Sequence, residues 1–312
     1  MPTTADFENF FTQQLEPELP RLQQECRQAD RWGLIGILTL LSAFVTFLAY
    51  QTKYITGHDA KLIFGAIGVM VIIVVYNYTK RNDRFTEDYK AAIIRQLLDF
   101  IHPGLTYKPD ECIRNAEYKL SGLYRYELDY YDGDDYIEGK IGNVSFHCSE
   151  LWTRKESTKR KLTVFRGLFI VAKINSSFTG GTYILPRERG FAAESTLGHY
   201  YWLGPVPHSI SITPDDPAFN RYFRVSSTYP AQAATLLSHE MQQQMLQICQ
   251  QMKTPVSFSF AAGRCFIGIP INEDLFEPGN YYPGDKEQIR KYYISLQIIP
   301  SIIKQLQLEK LQ

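Results

Sequence analysis

The stretch from Trp32 to Tyr50 reads WGLIGILTLLSAFVTFLAY, nineteen residues without a charged side chain. At about 1.5 Å per residue, a helix of this length measures roughly 28 Å, close to the ~30 Å hydrocarbon core of a bilayer. Leu62 to Tyr78, LIFGAIGVMVIIVVYNY, is a second uncharged run of seventeen residues. The two runs predict a pair of transmembrane helices.

The connection between the two runs is short, since only residues 51–61 separate them. It predicts a helical hairpin over residues 32–79 that returns the chain to the side of the membrane from which it starts. Aromatic residues lie at the ends of the two runs, and aromatic rings favour the headgroup region of a bilayer. We therefore predict four membrane-interface residues: Trp32, Tyr50, Tyr76 and Tyr78.

Two other interpretations of these runs are open, a pair of core helices in a soluble protein and a cleaved signal peptide. Core helices of this length usually carry polar residues on at least one face. The 31 residues before the first run carry six acidic and three basic side chains, and no small-residue cleavage site follows it. Both observations favour a retained transmembrane hairpin.

Basic residues beside the hairpin predict its orientation, because Lys and Arg are retained on the cytoplasmic side. Seven flank its outer ends and two lie in the connecting loop: Arg21, Arg27, Arg31, Lys80, Arg81, Arg84 and Lys90 against Lys53 and Lys61. We expect a multi-pass protein of the bacterial inner membrane with both termini in the cytoplasm. The five widely spaced cysteines, with no C-x-x-C pair, are typical of a reducing compartment.

The polar segments on either side of the hairpin have helical periodicity. Residues 1–31 predict amphipathic cytoplasmic helices with an apolar stripe of Phe7, Phe10, Phe11 and Leu15. This stripe either packs against the protein's own helices or lies on the membrane surface, although interfacial helices usually carry a basic polar face. Residues 80–102 repeat an apolar side chain every fourth position and predict a stalk helix that ends at His102-Pro103-Gly104.

Residues 103–312 change to alternating patterns that predict an α+β domain with a mainly antiparallel sheet. A helix is predicted across 230–252, and another from Lys286 that is kinked or divided at Pro300. Asp132-Gly133, Gly142-Asn143 and Ala262-Gly263 are predicted as turns. Strands are predicted near 123–131, 135–141, 144–152, 162–174, 181–185, 208–213, 221–227, 255–261 and 264–271.

Several local patterns, taken in order, resemble a family of bacterial membrane proteins, the domain of unknown function numbered 3137. They are GDDYIEGKIG at 133–142, FHCSE at 146–150, VFRGLF at 164–169, FNRYFRV at 219–225 and the helix from Ala233. With the hairpin, the resemblance covers residues 30–280. It implies a two-span anchor with a cytoplasmic α+β domain, and it implies no activity, cofactor or catalytic residue.

Composition and motifs exclude several classes of protein. Lys plus Arg and Asp plus Glu both number 33, so no broad basic surface for nucleic acid is expected. Phosphate-loop, dinucleotide and nucleophile-elbow motifs are absent from the sequence. His239-Glu240 starts a zinc-protease pattern, but Gln243 stands where the second histidine belongs. We predict no catalytic, cofactor-binding or metal-ligating residue, and a non-enzyme is favoured over an enzyme.

The alternative is a membrane-tethered metal-dependent hydrolase that uses an acidic hairpin near Asp135. Hard cations need converging carboxylates, and acidic residues cluster at Asp132, Asp134, Asp135, Glu138 and Glu150. A solvated turn explains Asp132-Gly133-Asp134 equally well. Strand alternation would place Asp135 and Glu138 on opposite faces, so that the carboxylates diverge.

The strongest charged feature is RKESTKRK at residues 154–161, with five basic side chains and one acidic side chain. Each basic residue near an anionic leaflet contributes about 1 kcal/mol of attraction. The segment is either a solubilising hairpin tip or a contact with anionic lipid through Arg154, Lys155, Lys159, Arg160 and Lys161. With the hairpin, it favours a membrane-anchored cytoplasmic binding or scaffold domain that has a protein partner or self-associates.

Overall fold

A computed structural model of the chain describes residues 2–52, 57–157, 160–174, 180–187, 206–278 and 284–311. The chain divides into two compact units. One consists of residues 2–97 and 277–291, and the other of residues 98–276 and 292–311. The first is helical and the second contains a sheet, which confirms the predicted α+β class with two long apolar helices before the sheet.

Two long helices dominate the helical unit. Helix α1 spans Thr4–Phe10 and leads through a π-helical segment, Phe11–Leu15, and a short 3₁₀ turn, Glu16–Glu18, into α2, Leu19–Gln51. Helix α3 spans His58–Tyr89 and continues through a π-helical segment, Lys90–Ile94, into α4, Arg95–Ile101. The polar and apolar parts of residues 19–51 thus form one continuous helix. The predicted stop at residues 102–104 is confirmed.

Helices α2 and α3 pack antiparallel as a hairpin. Near one end, Arg81 Nη1 donates a 2.9 Å hydrogen bond to Gln28 Oε1; at the other, the Tyr50 and Phe64 rings meet edge to face at 6.2 Å. Between these contacts the helices approach closely at a glycine. A Cβ atom on Gly36 would lie 3.3 Å from Val74 Cγ1. Small residues at such contacts let two helix backbones approach each other.

The apolar parts of α2 and α3 expose their side chains. Of the 25 large apolar side chains that are exposed in the described part of the chain, 21 lie between Leu34 and Tyr78. In the most apolar 18-residue stretch of each helix, only 6% is buried. Both helices are long and apolar enough to cross a membrane, whereas core helices of a soluble protein would be buried.

The N-terminal apolar stripe is buried inside the helical unit. Phe7 and Leu15 are 0% exposed, and Phe10 and Phe11 are 8% and 5% exposed. Lys286 Nζ lies 5.3 Å from the centre of the Phe11 ring and forms an ion pair with Glu8. Packing on the protein's own residues therefore accounts for the stripe, and its burial contradicts the membrane-surface alternative.

The second unit contains a nine-stranded sheet whose order is β1-β2-β3-β4-β9-β8-β5-β7-β6. All its pairings are antiparallel. Both faces of the central strands are covered, because every residue of β8 is buried and only the first residue of β9 is partly exposed. The strands are β1 Thr106–Lys108, β2 Tyr130–Ile141, β3 Val144–Ser157, β4 Arg160–Lys173, β5 Thr182–Pro186, β6 Ile210–Ile212, β7 Phe223–Ser227, β8 Ser257–Ala261 and β9 Arg264–Pro270.

Among the described residues, five α-helices follow α4 along the chain: α5 Asn115–Leu120, α6 Pro217–Tyr222, α7 Pro230–Leu236, α8 His239–Met252 and α9 Lys286–Gln305. The predicted helix over 230–252 is interrupted at Leu237 and Ser238, because the Ser238 side chain caps α8 by accepting from the Met241 N–H. Helix α9 passes through Pro300 without dividing.

Two predicted turns are confirmed and one is wrong. Gly142-Asn143 joins β2 to β3, and Ala262-Gly263, with φ of 51° and 68°, joins β8 to β9. Asp132-Gly133 lies inside β2, so the strand predicted over 123–131 is wrong except at its end. A Cβ on Gly133 would lie 2.3 Å from the Glu150 carbonyl oxygen. This glycine is needed for close strand pairing, not for a turn.

Candidate functional site

A groove of about 850 Å³ lies on one face of the sheet, at the edge formed by the β2–β3 and β8–β9 turns. Register places one row of side chains across its floor. Glu138 pairs with His147, and His147 pairs with Val171. A second row, one step nearer the turns, brings Lys140 opposite Ser145 and Lys173 opposite Arg264. The row nearer the turns is therefore mainly basic, and the inner row carries Glu138 and His147.

Helix α5 forms one wall of the groove and supplies Glu117. Its Tyr118 is 1% exposed and belongs to an apolar cluster with Phe169, Val171 and Phe266. The Tyr118 ring lies 5.1 Å from the Phe169 ring. Burial of this tyrosine anchors α5 on the sheet, and the next residue toward the N-terminus, Glu117, faces the groove.

Glu117 contacts two side chains of the groove, the ionisable His147 and the cationic Arg264. Its Oε2 lies 2.9 Å from His147 Nε2, and its Oε1 lies 3.3 Å from Arg264 Nε. The hydrogen bond with His147 is the largest cause that lowers the pKa of Glu117, and the charge of Arg264 also lowers it. Glu117 is therefore a carboxylate at neutral pH and fixes both neighbours.

A ring stack continues this network. The Tyr136 ring lies 5.6 Å from the His147 ring, with 29° between their planes. Lys108 Nζ lies 5.4 Å from the Tyr136 ring centre and 3.5 Å from Glu138 Oε1. Burial raises the pKa of Tyr136, which keeps its hydroxyl protonated. The hydroxyl donates to Glu138 Oε2 at 3.2 Å.

The acidic residues near Asp135 do not form a hairpin tip. Pairing is irregular between Asp134 and Ile137, and Asp135 has a φ of 54°. This bulge breaks the simple alternation. Glu138 does face the groove away from Asp135, as expected, but Asp134 pairs directly with Glu150. The prediction that all these carboxylates diverge is wrong for that pair.

Glu150 and Asp135 are buried, at 6% and 1% exposure. The Tyr107 hydroxyl donates to Asp135, and the Leu275 N–H donates to Glu150 Oε2 at 2.9 Å. Burial, followed by the charges of Asp134 and Asp135, raises the pKa of Glu150 to about 8. A protonated Glu150 relieves the repulsion among these acids. Asp135 is closed off from solvent by the described residues, and such burial does not favour hydrolase chemistry.

The basic segment 154–161 lies at the β3–β4 connection. Arg154 is partly buried, and its guanidinium lies 4.0 Å from the Tyr130 ring centre and 4.5 Å from that of Trp152. Lys161 is exposed, with Nζ 3.5 Å from Glu156 Oε1. Lys155 is partly exposed. Lys159 and the side chain of Arg160 lie outside the described residues.

The aromatic residues predicted at the membrane interface lie near the ends of the hairpin. Gly33 packs beside Tyr78, so Trp32 and Tyr78 are at one end, and the contact of Tyr50 with Phe64 is toward the other. Tyr50, Tyr76 and Tyr78 are 49%, 63% and 42% exposed. Their positions bracket the exposed apolar surface.

The cysteines, together with His102, His208 and His239, lie outside the groove; His199 and the side chain of His58 lie outside the described residues. All five cysteines are free, and Cys148, Cys249 and Cys265 are buried, which raises the pKa of each of these thiols. Glu240, beside His239, forms an ion pair with Lys310 at 3.6 Å. These contacts agree with structural roles.

The groove was not predicted from the sequence. In the sequence His147 has no partner at ligand spacing, because Glu117 is 30 residues away and Arg264 more than 100. The only sequence signal was alternation in 135–141, which placed Tyr136, Glu138 and Lys140 on one face. Sheet order, which brings β9 beside β4, is needed to complete the site.

The described part of the chain thus defines an α+β protein with two candidate membrane-spanning helices. Residues 163–308 match the model of the family "Protein of unknown function (DUF3137)", which confirms the resemblance over that region. The match extends beyond the expected limit at 280, and the patterns at 133–142 and 146–150 lie outside it.

No curated protein matches the chain. A solved structure with some likeness is the crystal structure of the mycobacterial trehalose monomycolate transport factor A, TtfA. The TM-score is 0.34 at 8% identity, and the alignment covers 70% of this chain and 93% of that one. These values establish no shared activity.

Proposed function

We propose that this chain is an integral membrane protein in which α2 and α3 form a transmembrane hairpin and the sheet unit is a binding or scaffold domain in the cytoplasm. The observation that carries the proposal is the outward exposure of the apolar side chains from Leu34 to Tyr78. In water this surface greatly exceeds the few hundred Å² of apolar patch that a soluble monomer usually exposes. In a bilayer the same surface is solvated by lipid.

The composition of the hairpin supports insertion. Ten of the nineteen residues from Trp32 to Tyr50 are Leu, Ile, Val or Phe. Each favours insertion by about 0.3–0.6 kcal/mol, so their sum is roughly 3–6 kcal/mol before polar residues reduce it. Ser and Thr hydroxyls donate to carbonyls of their own helix, as Thr39 does to Ile35 at 2.8 Å. The polar groups in the run are thus satisfied.

Alkaline carbonate extraction of membranes tests the anchor. The full chain should remain in the pellet, as peripheral proteins are released by this treatment. Recovery in the soluble fraction would contradict the proposal. A chain with residues 32–79 deleted is the control and should be absent from the pellet.

The charge distribution supports a cytoplasmic location of both termini. The contact of Gln28 with Arg81 places the flanking basic segments at the same end of the hairpin. Seven basic residues there against two in the connection favour that end for the cytoplasm. A reporter that is active only in the cytoplasm should be active when fused after Gln312. Activity of a reporter that works only in the periplasm would show the opposite orientation. The bacterial inner membrane is proposed because the sequence resembles a family of bacterial membrane proteins.

The connection 154–161 is proposed to contact anionic lipid through Arg154, Lys155, Lys159, Arg160 and Lys161. The exposure of Lys161 supports this, whereas stacking holds Arg154 against two rings. In full-length protein reconstituted in vesicles, anionic lipid should slow tryptic cleavage in this segment relative to zwitterionic lipid. Cleavage after Lys119, on α5, is the internal control. Equal slowing at both positions would contradict a specific contact.

The binding or scaffold role predicts a protein partner or a second copy of the chain. Chemical crosslinking in native membranes, followed by mass spectrometry, identifies either. A binding domain should yield crosslinks from the sheet unit to a defined protein, and their reproducible absence would argue against this role.

A further inference from the structure

The outer row of the groove carries three basic side chains around a serine. Lys140 pairs with Ser145, and Lys173 pairs with Arg264. On β3 and β4, Phe146 pairs with Ala172. Extending this register by one residue places Ser145 opposite Lys173. Adjacent strands are about 4.8 Å apart, so these four residues form a row across β2, β3, β4 and β9.

The groove lining includes three basic side chains, Lys140, Lys173 and Arg264, and two acidic ones, Glu117 and Glu138. Glu117 pairs with Arg264, and Glu138 lies beside Lys108. Lys140 and Lys173 are exposed and form no ion pair with another described residue. The outer row therefore has an excess of two positive charges.

Like charges on directly paired strand residues are unfavourable. Lys173 and Arg264 occupy such a pair, and Lys140 adds a third cation to the row. Glu117 offsets only the charge of Arg264. An anion seated over Ser145 would relieve the remaining repulsion and accept a hydrogen bond from the serine hydroxyl.

The number and kind of donors indicate the class of anion. A carboxylate carries one charge and two oxygens, whereas a phosphate monoester carries −1.5 to −2 charges and three terminal oxygens. Two lysine ammonium groups, the Arg264 guanidinium and the Ser145 hydroxyl match the phosphate in charge and number of donors.

We propose that the groove binds a phosphate monoester group, with Lys140, Lys173 and Arg264 as charge partners and Ser145 as a donor. Glu117 and His147 are positioning residues, because Glu117 pairs with Arg264 and His147 holds Glu117. The proposal deepens the proposed binding function, on which it rests. It assigns to the sheet unit a ligand class and a location.

Calorimetric titration of the full-length protein in a neutral detergent tests this assignment, with inorganic phosphate as the probe and acetate as the comparison. Phosphate should bind at least about tenfold more tightly than acetate. Lys140→Gln with Lys173→Gln should weaken phosphate binding by about tenfold or more. Lys140→Arg with Lys173→Arg should retain it within about threefold. The matched control, Lys119→Gln, removes an exposed lysine of α5 outside the groove and should leave binding unchanged.

Absence of phosphate binding, equal affinity for acetate, or unchanged binding in the double Gln variant would overturn the assignment. The exposure of both lysines makes misfolding of the Gln variant unexpected, and its melting temperature checks this directly. Because the titration is done in solution, its failure is distinguishable from failure of the membrane anchor, which carbonate extraction measures independently.

Competition distinguishes the source of the phosphate. Glycerol phosphate represents a soluble ligand, and phosphatidate in mixed micelles represents a lipid headgroup. Displacement of inorganic phosphate by phosphatidate alone would indicate a headgroup, and displacement by glycerol phosphate alone would indicate a soluble ligand. Displacement by both identifies the shared phosphate as what is recognised. If neither displaces it, the monoester assignment is wrong.

Discussion

The Nε2 atom of His147 lies 2.9 Å from Oε2 of Glu117, joining the floor of the groove to helix α5. This hydrogen bond is the largest cause that lowers the pKa of Glu117 in the folded chain. A carboxyl with a lowered folded pKa stabilises the fold above its unfolded pKa, and the contribution is lost as pH falls through the folded pKa. The relevant window lies below the ordinary glutamate value of 4.5.

Glu117→Gln should therefore reduce stability at pH 7 by up to about 1 kcal/mol, since the pair is partly solvated. The difference from the parent protein should shrink as pH falls below about 4.5. Thermal unfolding across this range measures it. Glu111→Gln, an exposed partner of Lys108, is the control. A difference that stays constant with pH would show that the charge of Glu117 is not responsible.

The buried Glu150 predicts the opposite dependence on pH. Its folded pKa of about 8 exceeds the ordinary value of 4.5, so folding favours the protonated form. Stability from this group is fully present below about pH 4.5, falls as pH rises, and levels off above about pH 8. Glu150→Gln keeps the oxygen that accepts from Leu275 and removes the titration. The variant should gain roughly 1–3 kcal/mol over the parent by pH 8, measured by denaturant unfolding. A variant less stable than the parent at pH 8 would contradict a protonated Glu150.

Packing of the hairpin depends on Gly36. Its Cβ position lies 3.3 Å from Val74 Cγ1, whereas a Cβ on Gly65 meets no atom within 4 Å. Gly36→Leu should force the helices apart and destabilise their packing by about 1–3 kcal/mol. Gly65→Leu is the matched control and should have little effect. Thermal stability in detergent measures both, and equal effects of the two changes would contradict the helix contact.

The sheet is similarly sensitive at Gly167. Its φ is 138°, and a Cβ there would lie 2.3 Å from the Ile269 carbonyl oxygen on the paired strand. Gly104 also has a positive φ, of 97°, but open space around it. Gly104→Ala should cost roughly 1–2 kcal/mol for backbone strain alone. Gly167→Ala adds the clash and should cost about 3 kcal/mol or more. Chemical denaturation compares the two variants, and similar losses would show that β4 and β9 are not so close.

Patterns local in sequence predicted much of the fold. The uncharged runs, the stop at Pro103 and the Gly142 and Ala262-Gly263 turns needed only neighbouring residues. The turn predicted at Asp132-Gly133 is wrong, because the same dipeptide is found in turns and where two strands approach closely. Only the position of the Glu150 backbone distinguishes the two cases. The bulge at Asp135 likewise depends on pairing with β3.

The groove depends more on tertiary structure than the helices and turns do. Glu138 and Lys140 follow from alternation in one strand, but His147 acquires its partner only when α5 packs through Tyr118. Arg264 reaches the groove only because β9 pairs with β4. Several other elements separate these two strands in the chain. No residue-spacing pattern in one sequence encodes that pairing.

The central claim is that the α2–α3 hairpin crosses the membrane with the sheet unit in the cytoplasm. Labelling of intact cells with a membrane-impermeant thiol reagent tests it most directly, using Gly57→Cys in the α2–α3 connection and Lys119→Cys on α5. We expect Gly57→Cys to be labelled in intact cells and Lys119→Cys to be labelled only after lysis, with the parent protein as the background. Labelling of Lys119→Cys in intact cells, or protection of Gly57→Cys until lysis, would contradict it.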